Sequence, residues 1–153
     1  MGKEIIGIIG GSGLYEMQEL KNKKEKNVTT PFGKPSDSFI LAKLEGKEVV
    51  FLPRHGRGHR ILPSEINYRA NIFGMKKLGV TRIISVGAVG SMKEKIVPGH
   101  IVIPNQFYDL TRLRKSTFFG DGVVGHISFG DPVCPGLYQL LIKAGNQAGA
   151  TVH

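Results

Sequence analysis

Three short segments of this sequence combine residue types that bind anions, and the first is a glycine-rich turn. Residues 10–13 read Gly-Gly-Ser-Gly and directly follow the apolar run at residues 5–9. Glycines allow backbone N–H groups to converge on an anion, and a serine hydroxyl adds a donor. A tight strand-to-loop turn would need the same residues. The segment lacks the dinucleotide fingerprint, because Glu16 stands where the last glycine would be, and no Walker lysine follows it.

The second segment carries an arginine and a histidine at the end of another apolar run. Arg54 and His55 follow residues 48–52, which are predicted to form a buried strand. The planar guanidinium of arginine matches two oxygens of a phosphate, and α/β folds place ligands at the ends of strands. A surface arginine beside a loop histidine is the alternative. The arrangement favours an anion site.

The spacing of His55 and His59 raises the question of a metal site. Histidines four residues apart can share a metal on a helix, but Gly56 and Gly58 make a helix improbable here. No cysteine or carboxylate lies close by in the sequence to complete a ligand set. The sequence therefore predicts no metal site.

The third segment is a turn of small residues. Residues 87–91 read Gly-Ala-Val-Gly-Ser and follow the apolar run at residues 82–86. Small residues let a phosphate or a ring approach the backbone, and packing against a helix would demand them equally. All three segments follow strands that are predicted to be buried, which favours one shared ligand site at the edge of a sheet.

The single cysteine, Cys134, has no evident activating base. His126 is eight residues away, and sequence alone does not show whether the two side chains meet. A free cysteine is usually a small buried residue. We therefore predict that Cys134 is buried at the start of a helix.

Alternating strand and helix patterns place these segments in an α/β fold with a mixed sheet flanked by helices. The segment 108–125 is predicted to be a long loop, and residues 150–153 resemble the opening of a further strand, as if the chain were truncated. A first helix is predicted to begin at Pro63 with Ser64 as its N-cap and to stop at Gly79, and a second to run from Pro135 to Gly149. The predicted strands occupy residues 5–9, 39–44, 48–52, 82–86 and 100–103.

Length, charge and cysteine content narrow the class of protein. The 153 residues suit a single domain, 1–153, and no apolar run approaches the roughly 18 residues that span a bilayer. One cysteine excludes an internal disulfide framework and favours the cytoplasm. The formal charge of +9 suits anionic partners. The densest lysine run, residues 21–26, is interpreted as a solvated surface.

Several blocks of the sequence, taken in order, resemble the 5′-methylthioadenosine phosphorylases of the trimeric purine nucleoside phosphorylase family. The resemblance extends over essentially the whole chain. The blocks that carry it are IGIIGGSGL (residues 6–14), TPFGKPSD (30–37), RHGRGH (54–59), PSEINYRANI (63–72), PGHIV (98–102), HIS (126–128) and PVCP (132–135).

The resemblance implies a phosphorylase fold and a reaction in which phosphate attacks the anomeric carbon of a purine nucleoside. It implies inorganic phosphate as co-substrate without a metal or other cofactor, and a homotrimer or a dimer of trimers with neither nucleic-acid nor membrane partners. It further implies binding roles for specific residues. The implied phosphate ligands are Ser12, Arg54, His55, Gly87 and Ala88, and the implied nucleoside contacts are Ala88, Val89, Gly90 and His126, the last acting across the trimer interface.

Two departures from the family pattern stand out. Gly87 replaces the threonine or other polar residue that many relatives have, which removes a side-chain donor to phosphate. In addition, the Met-Glu-Gly segment and the aspartates that hold and protonate the purine have no counterpart in the 153 residues. No purine-protonating catalytic acid is therefore assigned, and the chain by itself is expected to be inactive, with apolar surface exposed at the edge of its sheet.

Two other functions stay open at this stage. One is phosphorolysis of another purine nucleoside, such as methylthioinosine, inosine or guanosine. The other is a basic nucleic-acid-binding module, which needs clustered cations interleaved with stacking aromatic residues. Only residues 112–119, with Arg112, Arg114, Lys115, Phe118 and Phe119, offer such a cluster.

Overall fold

A computed structural model describes residues 4–14 and 16–153, apart from the side chain of Ser12. Two compact units are present. One contains the chain up to Ala88 together with Leu113–Phe118, and the other contains Val89–Arg112 and Phe119–His153.

The first unit contains a five-stranded sheet, and the prediction of a mixed sheet is confirmed. Its strands are β1 (Ile5–Gly10), β2 (Lys21–Lys26), β3 (Phe39–Leu44), β4 (Lys47–Pro53) and β5 (Arg82–Ser85), and their order in the sheet is β2-β3-β4-β1-β5. Strand β1 lies parallel to its neighbours β4 and β5, whereas β3 pairs antiparallel with β2 and β4. The predicted hairpin of β3 and β4 is confirmed. Its turn places Glu45 and Gly46 at positive φ, as a tight two-residue hairpin requires.

Alternating side chains of β3 and β4 build a core on each face of this sheet. On one face, Ile9, Phe39, Val50, Leu52 and Met75 are buried together, and Met75 comes from helix α1 (Tyr68–Lys77). On the other face the buried residues are Leu20, Ile40, Ala42, Val49 and Phe51. The period of two along each strand distributes these residues between the faces.

Helix α1 begins later than the sequence predicts, so the proposed cap at Ser64 is wrong. Asn67 is the N-cap, and its Oδ1 accepts a hydrogen bond of 3.1 Å from the backbone N–H of Ala70. The amide of Asn67 also donates to the carbonyl of Phe32 at 2.6 Å. This tertiary contact fixes the start of the helix. The predicted stop holds, because Gly79 has a φ of +82° directly after the C-cap.

Two strands differ from expectation. β5 was predicted to be buried, but Arg82 and Ser85 are exposed, because among the described residues only β1 pairs with this edge strand. β2 was not predicted as a strand. Its side chains are all exposed, which confirms the solvated-surface interpretation of the lysine run.

The second unit contains helix α2 (Pro135–Gln147) and long irregular segments, including most of the predicted loop 108–125. The predicted strand at residues 100–103 reduces to one parallel bridge between Ile101 and Val152. Cys134 is exposed rather than buried, because it precedes a helix that contributes no buried residue. No helix in the described part of the chain has the length and hydropathy that a bilayer crossing needs.

Candidate anion-binding site

The ends of β1 and β4 lie side by side and open into a small cavity. Gly10 pairs with Pro53 in the parallel register, and the backbone N–H of Arg54 donates to the carbonyl of Gly10 at 3.0 Å. The cavity has a volume of about 110 Å³. Its lining residues are Gly10, Gly11, Pro53, Arg54, His55, Gly56, Gly58 and His59.

Glycine is required at two of these positions by close approach or by backbone conformation. A Cβ at Gly10 would overlap the side chain of Leu14 and lie 3.3 Å from the carbonyl oxygen of Val86. Gly56 has a φ of +69°, and a Cβ there would lie 3.2 Å from the carbonyl oxygen of Ser36. A side chain at Gly10 would therefore collide with neighbouring segments, and one at Gly56 would be both crowded and held in a conformation that favours glycine.

Arg54 is oriented by the histidine next to it in the sequence. Its Nε–H donates to Nε2 of His55 at 3.2 Å, and Nδ1 of His55 lies 2.8 Å from the carbonyl oxygen of Ile61. A carbonyl can only accept, so Nδ1 carries the proton and Nε2 is the acceptor. This arrangement selects one neutral tautomer of His55 and leaves the two terminal nitrogens of Arg54 as the arginine's donors to a ligand.

The third glycine-rich segment meets the same guanidinium. A Cβ at Gly87 would lie 3.0 Å from Nη1 and 3.2 Å from Nη2 of Arg54. Two of the three segments singled out in the sequence, at residues 54–55 and 87, therefore lie close together. The first segment reaches the cavity through Gly10 and Gly11.

A compact turn carries the histidines that line the cavity. Hydrogen bonds of 3.1 Å join the N–H of Gly56 to the carbonyl of Pro53, and the N–H of His59 to the carbonyl of Gly56. Gly58 and His59 have φ values of +78° and +55°. The turn stacks the ring of His59 on that of His55, with centroids 4.6 Å apart and planes inclined by 19°.

An ion-pair cluster holds the outer side of the same turn. Arg57 forms an ion pair of 2.6 Å with Glu25 on β2, and its backbone N–H donates to Asp37 at 2.7 Å. Arg57 and Ser38 also hydrogen-bond each other, and Arg60 lies 3.8 Å from Asp37. Sequence reasoning missed this cluster, because Glu25 and Arg57 are far apart along the chain and lie on elements whose pairing the sequence does not indicate.

The two carboxylates of the cluster have lowered pKa values. The side-chain hydrogen bond from Arg57, assisted by one from Ser38, lowers the pKa of Glu25 to about 2. Burial acts to raise the pKa of Asp37, but backbone hydrogen bonds from Arg57 and Ser38 and the charges of Arg57 and Arg60 outweigh it and lower the pKa. Both groups are therefore ionised at neutral pH and offset the charge of Arg57.

The implied ligand set is only partly assembled within one compact unit. Arg54, His55, Gly87 and Ala88 all belong to the first unit, while the side chain of Ser12 lies outside the described residues. Val89, Gly90 and His126 are exposed residues of the second unit. Within residues 4–14 and 16–153, no group of three or more histidine, cysteine or acidic side chains is arranged to hold a metal ion.

His59 is the cavity residue that sequence reasoning did not assign to an anion. The sequence shows the four-residue spacing of His59 from His55, but that spacing by itself raises only the question of a metal site. A ring stack across a turn depends on positive φ values at Gly58 and His59, and residue types alone do not specify them.

Comparison with known proteins gives a consistent set of relatives. The family profile described as the phosphorylase superfamily matches residues 5–153. The S-methyl-5′-thioadenosine phosphorylase of Geobacter sulfurreducens is 65% identical over 152 residues, which are 99% of this chain and 53% of the relative. That of Chloroflexus aurantiacus is 58% identical, over 97% of this chain and 52% of the relative.

Solved structures agree with these sequence relatives. A methylthioadenosine phosphorylase from an antarctic soil metagenomic library has a TM-score of 0.95 and 51% identity, with 99% of this chain and 54% of that chain covered. The methylthioadenosine phosphorylase of Schistosoma mansoni in complex with tubercidin has a TM-score of 0.89 and 43% identity, with coverages of 96% and 55%. The chain thus spans about half the length of the relatives it matches.

Proposed function

Because the chain belongs to the phosphorylase superfamily, we propose that its glycine-lined cavity binds the phosphate of a nucleoside phosphorolysis reaction. The observation that carries the proposal is the position of Arg54. Its guanidinium lies at the ends of two parallel strands, is oriented by a neutral His55, and lines a cavity formed largely by glycine backbone. An arginine fork together with backbone donors is suited to a tetrahedral oxyanion.

The proposed reaction converts S-methyl-5′-thioadenosine and phosphate into adenine and 5-methylthioribose 1-phosphate. A phosphate oxygen forms a bond to the anomeric carbon, the bond from that carbon to N9 breaks, and its electron pair moves to the purine, which takes up a proton. Positive charge develops on the ribose in the transition state. An anion held below the ribose stabilises that charge, and fixing its position lowers the entropic part of the barrier.

The remaining residue roles are part of the same proposal. Ser12 and the backbone N–H of Ala88 complete the phosphate cradle with Arg54 and His55, and position 87 contributes backbone only. The nucleoside contacts are Ala88, Val89, Gly90 and His126, with His126 acting on the nucleoside of a neighbouring subunit.

The rest of the proposal concerns the whole protein. Residues 1–153 form part of one nucleoside phosphorylase domain, in a cytoplasmic homotrimer or dimer of trimers that uses inorganic phosphate and no other cofactor. We favour methylthioadenosine over other purine nucleosides as the substrate. The relatives from Geobacter and Chloroflexus, which are 65% and 58% identical to this chain, are both S-methyl-5′-thioadenosine phosphorylases.

The test joins this chain to the remaining half of the Geobacter relative and measures adenine release from methylthioadenosine at varied phosphate. Arg54→Ala is expected to raise the KM for phosphate by roughly tenfold or more, because a hydrogen bond to a charged group contributes about 1.5–3 kcal/mol. Lys47→Ala, an exposed position at the start of β4, is the matched control and should leave the KM unchanged. An unchanged KM in Arg54→Ala, or a chimera that binds phosphate but releases no adenine, contradicts the proposal.

A further inference from the structure

We propose that His59 is a second imidazole of the anion pocket and donates a ring N–H to the bound phosphate, while the ring of His55 positions Arg54 and its backbone N–H makes the contact of His55 with the phosphate. The inference rests on the proposed function and extends it to a residue that the family resemblance did not supply. Four features of the pocket support it.

The first feature is that the ring of His55 is already fully engaged. Its Nδ1–H donates to the carbonyl of Ile61 at 2.8 Å, and its Nε2 accepts from Nε–H of Arg54 at 3.2 Å. A neutral imidazole has one donor and one acceptor, so no further N–H remains. The ring of His55 can donate to an anion only if one of these two bonds breaks.

The second feature is that the ring of His59 is available. It lines the same cavity and stacks on His55 with centroids 4.6 Å apart. Within the described part of the chain, its ring nitrogens have no hydrogen-bond partner, whereas its backbone N–H is used to close the turn on Gly56. The stack holds the ring at the cavity and leaves its edge open to a ligand.

The third feature is the backbone of the turn. His59 has a φ of +55°, a conformation that costs a side-chain-bearing residue energy and that glycine adopts freely. Gly56 and Gly58 adopt positive φ in the same turn. Strained residues of this kind concentrate at ligand sites. Here the strained residue is His59, and among the described residues that line the cavity its imidazole is the one whose ring nitrogens are not already hydrogen-bonded.

The fourth feature is the charge and size of the cavity. The residues that line it are glycines, a proline, an arginine and two histidines, so no acidic side chain belongs to the described lining. The carboxylates of Glu25 and Asp37 are directed instead to Arg57 on the outside of the turn. A volume of about 110 Å³ is several times the roughly 30 Å³ that one water occupies in the liquid, so the cavity has room for a tetrahedral oxyanion.

The test uses sulfate as the probe, because sulfate has the tetrahedral shape of phosphate and keeps its double negative charge throughout the neutral pH range. Sulfate is titrated into the protein, and its Kd is obtained from backbone amide NMR shifts of Gly10, Gly11 and Gly56. His59→Phe retains a ring for the stack but has no N–H. His59→Gln supplies an amide donor without a ring. His100→Phe, at a half-buried histidine of the other compact unit whose ring contacts His153, is the control for replacing a histidine outside the cavity.

His59→Phe is expected to weaken sulfate binding about tenfold, the effect of losing one hydrogen bond to a charged group. His59→Gln is expected to recover most of that loss, and His100→Phe to match the unsubstituted protein. Wild-type affinity in His59→Phe, or a His59→Gln variant as weak as His59→Phe, overturns the inference. If His59→Phe does not fold, the comparison of His59→Gln with His59→Ala decides in its place.

The same titration separates this inference from the function on which it rests. If the unsubstituted protein binds sulfate, Arg54→Ala abolishes binding and His59→Phe does not weaken it, the phosphate site stands and the role of His59 falls. If the unsubstituted protein does not bind sulfate, both fall.

Discussion

Arg54 and His55 illustrate how much of a ligand site adjacent residues can specify. Their position after an apolar run predicts an anion site at a strand end, and the structure places both at a cavity there. The tautomer of His55 was not predictable, because it depends on the carbonyl of Ile61, six residues away across a turn. The stacking of His59 depends on the same turn. Residue types thus predict which side chains line the cavity, and the turn determines which nitrogen of His55 bonds to which partner.

Gly87 provides a prediction at the residue scale. Any side chain there contacts the Arg54 guanidinium, since a Cβ would lie 3.0 Å from Nη1. Gly87→Ala and Gly87→Ser add the same Cβ, but only serine adds a hydroxyl that can donate to phosphate. We expect Gly87→Ser to bind phosphate about tenfold more tightly than Gly87→Ala, in a calorimetric titration of both variants. Equal affinities would show that position 87 does not face the anion.

The elements behind the pocket were predicted unevenly, and tertiary contacts account for the differences. The alternation of apolar residues was sufficient for β3 and β4, but no such pattern marks the lysine-rich β2. Helix α1 begins at Tyr68 because Asn67 is fixed by the carbonyl of Phe32. Asn71, only 2% exposed, binds Ser36 through both its amide oxygen and its amide nitrogen. Contacts across 35 residues of sequence distance cannot be deduced from local propensity.

The packing of α1 against the sheet is tested by a pair of glycine substitutions. A methyl group at Gly74 would overlap the ring of Phe39, whereas one at Gly136 in α2 meets nothing. Alanine improves helix propensity by about 1 kcal/mol at either site. Overpacking typically costs about 1–3 kcal/mol. We therefore expect urea denaturation to show that Gly74→Ala lowers the free energy of unfolding and that Gly136→Ala does not. A Gly74→Ala variant that is more stable than the unsubstituted protein would contradict the packing of α1 against the sheet.

The ion pair that joins β2 to the histidine turn predicts a dependence of stability on pH. The folded-state pKa of Glu25, about 2, lies below its ordinary value of 4.5. Its contribution to the free energy of unfolding is therefore complete above the ordinary value and is lost as the pH falls through the folded value. In urea denaturation, Glu25→Gln should be less stable than the unsubstituted protein at pH 7, and the difference should shrink between about pH 4.5 and about pH 2.

Glu19 offers the matched control for that experiment, because it is also an exposed glutamate. Glu19→Gln should match the unsubstituted protein in its free energy of unfolding at pH 7. A difference between Glu25→Gln and the unsubstituted protein that persists unchanged to pH 2 would exclude the ion pair as its source.

At the scale of the whole molecule, the described chain is built of two units with different degrees of burial. The buried residues of both hydrophobic clusters lie in the unit that carries the sheet, while α2 in the other unit has no buried residue. Val89, Met92 and Tyr108 of that second unit are more than four-fifths exposed, at 83%, 102% and 86%. The sequence predicted apolar exposure at the edge of the sheet, and Val86 beside β5 is 42% exposed. It did not predict the larger exposure in the second unit, because apolar content alone does not show what covers a residue.

The difference in length between this chain and its relatives leads to a prediction about the activity of the whole polypeptide. The chain spans about half the length of each of these relatives, and its 153 residues include no counterpart of the Met-Glu-Gly segment and the aspartates that the resemblance leads us to expect. We expect the 153-residue polypeptide to bind phosphate but to release no adenine from methylthioadenosine, as followed by chromatography of the products. Adenine release that depends on Arg54 in this polypeptide would show that it contains a complete purine site.

The central claim is that an oxyanion occupies the cavity between the ends of β1 and β4, held by Arg54. The most direct test is an anomalous difference map from crystals soaked in selenate, which has the shape and charge of sulfate and contains a strong anomalous scatterer. The predicted result is a peak within hydrogen-bonding distance of the Arg54 guanidinium and the backbone of Gly10 and Gly11. A cavity without selenium, or one filled by the protein's own side chains, would contradict the account.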